Sequence, residues 1–153
     1  MTSDASGEYL RNAVMTAAPE QLQLMLYDGA IRFVTQAREA MTRADYETSC
    51  EKLIRAQNIV LEMRNGLRPE VNPGLCAQMS GLYTFIYNQL VDANMKRSLG
   101  SIDDALRILE HQRETWRLLI ERMRSERGRQ TPAASRRSEP AGRTAGLSLC
   151  VDG

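Results

Sequence analysis

The sequence predicts an all-α protein: an antiparallel, up-down four-helix bundle with a short N-terminal cap segment and a disordered C-terminal tail. Three observations carry this expectation. Between Pro19 and Arg124 the apolar residues recur at the three-to-four spacing of helix faces, with none of the period-two alternation of strands. Proline, glycine and capping residues fall at the breaks in that pattern. The breaks are short, and short links between long helices make sequential neighbours antiparallel. The chain therefore divides into a leading segment (1–18), a bundle (19–124) and a tail (125–153).

Pro19 suits the first position of the first helix, where its missing N–H would have no partner anyway. Leu22, Leu26, Phe33, Ala37 and Met41 form that helix's stripe, up to about Arg43. Asp45 caps the second helix by accepting an orphan N–H, and Gly66 offers a left-handed stop. Leu53, Ala56, Val60, Met63 and Leu67 are the stripe between them. Asn72 followed by Pro73 opens the third helix, which carries Leu75, Met79, Leu82, Ile86 and Ala93 and is expected to end near Gly100. Ser101 is the expected cap of the fourth helix, with Asp104 in its first turn, where the helix dipole favours negative charge. Ile102, Ala105, Leu109, Trp116, Ile120 and Met123 complete its stripe.

The tail has a different composition. From Ser125 onward, five arginines face three carboxylates among Gly, Ser, Thr and Pro, with no large apolar residue before Leu147. Such a segment cannot bury enough surface to offset its ordering entropy. For the whole chain the net charge of +1 argues against a nucleic-acid-binding role. No apolar run is long enough to span a bilayer, and the first twenty residues lack the basic start and apolar block of a secretory signal. Three widely spaced cysteines, Cys50, Cys76 and Cys150, fit a reducing cytosol better than a disulfide framework. A cytoplasmic location with no membrane insertion is the expectation.

The first three helices carry more apolar surface than a single face needs. The first adds Leu24, Tyr27, Ile31 and Val34, the second Ile54, Ile59 and Leu61, and the third Tyr83, Tyr87 and Leu90. Two readings fit. Each helix of a four-helix bundle touches two neighbours, so stripes broaden into a wide core with tyrosine hydroxyls wet at its rim. Alternatively, the surplus lines an exposed groove for a helix or extended segment of another chain. Asn58 and Asn94 would then offer amides to that partner, and eight methionines would suit an adaptable surface.

Catalysis needs a constellation of groups, and the sequence does not supply one. His111 is the only histidine, neither Cys50 nor Cys76 belongs to a CxxC pair, and no Glu-x-x-His motif exists for a di-metal bundle site. The expectation is a protein without enzyme activity, cofactor or metal. One alternative is a histidine phosphotransfer module using His111 on a helix of the bundle, although ILEHQRETW lacks the lysine and small residues that usually surround such a histidine.

Three stretches, TAAPEQLQLMLYDGAIRF (16–33), KLIRAQNIVLEMRNGL (52–67) and LYTFIYNQLVDANMK (82–96), resemble signature segments of the FliS family of flagellin export chaperones in order and spacing. With Tyr9-Leu10 ahead and the Trp116 helix behind, the resemblance covers roughly residues 8–124. It implies a bundle that binds the C-terminal segment of flagellin, prevents premature polymerisation and passes the subunit to the flagellar export gate. Carried over motif by motif, it implies a groove lined by Leu26, Tyr27, Ala30, Ile31, Gln57, Asn58, Leu61, Tyr83, Tyr87, Leu90 and Asn94. It also implies an N-terminal cap over the empty groove made by Tyr9, Leu10 and Val14. Ala18 departs from the family pattern, which usually has a capping serine before the first proline.

Overall fold

A computed structural model describes residues 7–9 and 19–152, with side chains as far as residue 130. Residues 7–9 are helical, and among the described residues from Pro19 on four helices follow one another: α1 (Pro19–Thr42), α2 (Tyr46–Asn65), α3 (Pro73–Lys96) and α4 (Leu99–Asp152). No strand occurs among the described residues. The chain divides into two compact units, residues 1–116 and 117–153.

Contacts between helices within the first unit fix their directions. Asp28 pairs with Arg113 and Arg38 with Asp103, so α4 descends as α1 rises. Ile59 lies against Gly29 and Lys52 over Phe33, so α2 is antiparallel to α1. Cys50 meets Asn94, whereas Tyr27 meets Tyr83, so α3 runs against α2 and along α1. This is the up-down bundle expected from the short links.

The core is built from residues three and four apart: Tyr27, Ala30, Val34, Ala37 and Met41 of α1, Leu53, Ala56, Val60 and Met63 of α2, Tyr83, Ile86, Leu90 and Ala93 of α3, and Ile102, Ala105 and Leu109 of α4. Two stripes are rotated from their expected phase. In α1 the buried row is the one through Tyr27 and Val34, while Leu22, Leu26 and Phe33 are only half-buried. In α3, Tyr83 and Leu90 replace Leu75, which is exposed. The cause is side-chain size. Alanines at 30, 37, 56, 93 and 105 are wholly buried, so the helices approach through small residues and the bulkier chains fill the flanks. Gly29 is part of the same close approach: a Cβ there would lie 3.2 Å from Ile59 Cδ1.

The caps divide in the same way. Asp45 accepts the Thr48 N–H and Asn72 the Leu75 N–H, both at 3.2 Å, as the sequence predicts. The α4 cap is Ser98, whose Oγ accepts the Ser101 N–H at 3.1 Å, so Ser101 lies inside the helix and Asp104 beyond its first turn. Helix α3 accordingly ends at Lys96, before Gly100. The left-handed stops are not glycines. Gly66 is the C-cap of α2, where the sequence placed the stop, but it is right-handed (φ −80°), and among the described residues the positive-φ ones are Ala44 (φ 60°) and Arg97 (φ 52°). At Ala44 the Asp45 N–H reaches the Ala40 carbonyl and the Ala44 N–H that of Met41, a Schellman closure of α1. An alanine in this conformation is strained by about 1–2 kcal/mol. Ala44→Gly should therefore raise stability by about 1 kcal/mol, read as a higher urea midpoint with an unchanged slope.

Arg117 pairs with Glu121 at 3.0 Å in the second unit, and the helical backbone continues to Asp152. Composition predicts disorder from residue 125, and the side chains of 131–153 lie outside the described residues.

Candidate functional site

The eleven groove residues expected from the sequence divide by burial. Tyr27, Ala30, Gln57, Tyr83 and Leu90 are buried, and all but Gln57 belong to the core cluster. Leu26, Ile31, Leu61, Tyr87 and Asn94 are half-buried, and Asn58 is exposed. Tyr27 and Tyr83, 1 % and 2 % exposed, are core residues rather than rim residues and do not line an open surface. Their hydroxyls are 2.7 Å apart, Gln23 Nε2 donates to the Tyr83 oxygen at 3.0 Å, and the rings tilt at 47° with centroids 6.4 Å apart. The polar ends that sequence reasoning placed in water are satisfied by each other.

Burial pushes both phenols above the ordinary tyrosine range, because a buried phenolate loses its hydration. The folded state thus holds protons that the unfolded chain releases near pH 10. This contribution to stability is intact below that pH and is lost as pH rises beyond it. The urea midpoint should stay level in this respect from about pH 8 to about 9.5 and fall by about pH 11. A Tyr27→Phe/Tyr83→Phe variant should show a shallower fall.

The accessible candidates do not all share one face. Ile31 lies three residues after Asp28 and seven before Arg38, both paired to α4, so it faces the α1–α4 seam. Leu26, three residues before Gly29, faces α2. Helical spacing puts Asn58, Leu61, Tyr87 and Asn94 on the α2–α3 side. Asn94 Nδ2 donates to Cys50 Sγ at 3.4 Å, which fixes the facing sides of α2 and α3. Ile54 and Leu61 follow Cys50 by four and eleven residues, and Tyr87 precedes Asn94 by seven, so all border this seam. Ile54 is 45 % exposed. It was visible in the sequence as part of the apolar surplus but not singled out as a site residue. At the far end of the seam, an open cavity of about 500 Å³ is lined by Arg64, Leu67, Pro73, Cys76 and Ser80 among others.

Of the expected cap, Tyr9 is 76 % exposed, so its ring is not packed into a groove, and Leu10 and Val14 lie outside the described residues. His111 is exposed on α4. Among the described residues no three His, Cys, Asp or Glu side chains gather as metal ligands, and no helix is long and apolar enough to cross a membrane.

The family model for the flagellar protein FliS matches residues 1–123. The flagellar secretion chaperone FliS of Bacillus subtilis is 35% identical over 119 residues, covering 78% of this chain and 88% of that protein. Its Salmonella typhimurium counterpart is 30% identical over 109 residues, covering 71% and 81%. A crystal structure of a bacterial flagellar chaperone superposes with a TM-score of 0.65 at 22% identity, covering 80% of this chain and 99% of that one, a likeness of fold. With the match running from the leading segment through the bundle, the chain belongs to the FliS family of flagellar proteins.

Proposed function

We propose that the protein is a flagellar secretion chaperone of the cytosol without turnover chemistry. In this reading it binds the C-terminal segment of flagellin along the α2–α3 seam, keeps that segment from polymerising, and delivers it to the export gate. The observation that supports it most is the accessible apolar edge of the seam, where exposed Ile54 and half-buried Leu61 and Tyr87 share, by helical spacing, one side with the amides of Asn58 and Asn94. Apolar surface that a bundle leaves uncovered is stabilised by a partner's apolar face. The amides suit the polar groups of an incoming backbone: Asn58 is exposed, and Asn94 is engaged by only a weak sulfur acceptor. The relatives named above are secretion chaperones, which agrees with a client of the flagellar export route.

Titration calorimetry with a synthetic flagellin C-terminal peptide tests this. A one-to-one complex with a negative heat-capacity change is expected, since the client folds and buries apolar area as it binds. Absence of binding at micromolar concentrations contradicts the reading. The phosphotransfer alternative has only the exposure of His111 in its favour.

A further inference from the structure

On the α1–α2 side, away from the α2–α3 seam, one aromatic ring is surrounded by cations. The Phe33 ring has Arg32 Cζ at 5.2 Å, Arg55 Cζ at 5.7 Å and Lys52 Nζ at 5.8 Å from its centroid. Each cation gains from the ring's negative face, but three like charges around one phenyl repel one another. Only Arg55 has a carboxylate neighbour, Glu51 at 3.2 Å. No described acidic side chain pairs with Arg32 or Lys52, and Arg32 is exposed. Phe33 itself packs against the core cluster, so the platform holding the charges is fixed.

We propose that Phe33, Arg32, Lys52 and Arg55 form a second docking surface, for an acidic protein segment that brings carboxylates together with an apolar residue. A guanidinium stacked on a ring keeps its N–H edge outward and matches a carboxylate in a two-point contact. The carboxylates relieve the crowded positive charge, and the apolar residue meets the uncovered part of Phe33. A protein segment fits better than a nucleic acid. Glu39, Glu47, Glu51 and Glu62 are exposed along the same two helices and would repel a continuous phosphate chain, whereas spaced carboxylates can avoid them. The surface is separate from the proposed client seam, so both can be occupied together.

Nuclear magnetic resonance titration of the full chain tests the proposal, with a synthetic peptide alternating glutamate pairs and leucine as the probe. Oligothymidylate and a lysine–leucine peptide serve as controls. The acidic peptide should shift the signals of Phe33, Arg32, Lys52 and Arg55, weaken with added salt, and lose about tenfold or more in affinity in R32E/K52E. R32Q/K52Q should lose less, and flagellin-peptide binding by both variants should stay unchanged, which separates this surface from the seam. Shifts centred elsewhere, equal affinity in R32E/K52E, or tighter binding of oligothymidylate would overturn it.

Discussion

Tyr83→Ala should destabilise the bundle by about 3–5 kcal/mol, the largest effect expected of any single change at the candidate site. The ring is buried between α1 and α3, and its removal leaves a cavity walled by helices already in contact through small residues. The substitution also strips the hydroxyl that Tyr27 and Gln23 share. Tyr83→Phe isolates that second loss. It keeps the ring volume but leaves the buried Tyr27 hydroxyl with one partner fewer, at a cost of about 1–3 kcal/mol. Tyr27→Phe/Tyr83→Phe removes both ends of the pair and should cost less than the two single changes added together. Urea unfolding of the four variants measures this directly. A Tyr83→Ala loss below about 1 kcal/mol would mean that the ring is not a core element.

Tyr87→Ala and Leu61→Ala should produce the opposite pattern. Both side chains are half-buried on the α2–α3 seam, so folding should weaken only modestly while affinity for the flagellin peptide falls by about 2 kcal/mol, a factor near thirty. Ile31→Ala, of similar burial but facing α4, serves as the control and should leave affinity within about twofold. Calorimetric titration beside thermal melts separates binding from stability. Equal losses for Ile31→Ala and Tyr87→Ala would remove the seam from the account.

How much of this was legible in the sequence follows from the range of the interactions. The number of helices, their antiparallel order and the caps at Asp45 and Asn72 depend on residues within one turn of one another, and all were readable. The phase of α1 was not. A hydrophobicity pattern weights Leu22, Leu26 and Phe33 above Ala30 and Ala37, yet the small residues are those that let helices meet. The helix stops were legible in part. Helix α2 does end at Gly66, its C-cap, though in a right-handed conformation, whereas α3 stops short of Gly100 and the left-handed positions are occupied by Ala44 and Arg97. Arg97 gains from its environment, with its guanidinium carbon 3.9 Å from the centroid of the Tyr46 ring. That contact joins residues fifty-one positions apart, and no local window shows it.

The candidate site divides along the same line. The motifs around Tyr27 and Tyr83 mark the family, and the sequence left open whether these tyrosines line a groove or a core. Choosing between the two required the distance between α1 and α3. At 2.7 Å their hydroxyls satisfy each other, so the rings close the interior. The proposed client surface is therefore the outer edge of the α2–α3 seam, where Ile54, part of the apolar surplus in the sequence, is singled out by its exposure.

Amide hydrogen exchange on the full chain, with and without the flagellin C-terminal peptide, tests the central claim most directly. The account predicts added protection along α2 around 54–61 and along α3 around 84–95, with α1 and α4 little changed. Protection concentrated on the α1–α4 face, or none under conditions where the peptide is bound, would contradict it.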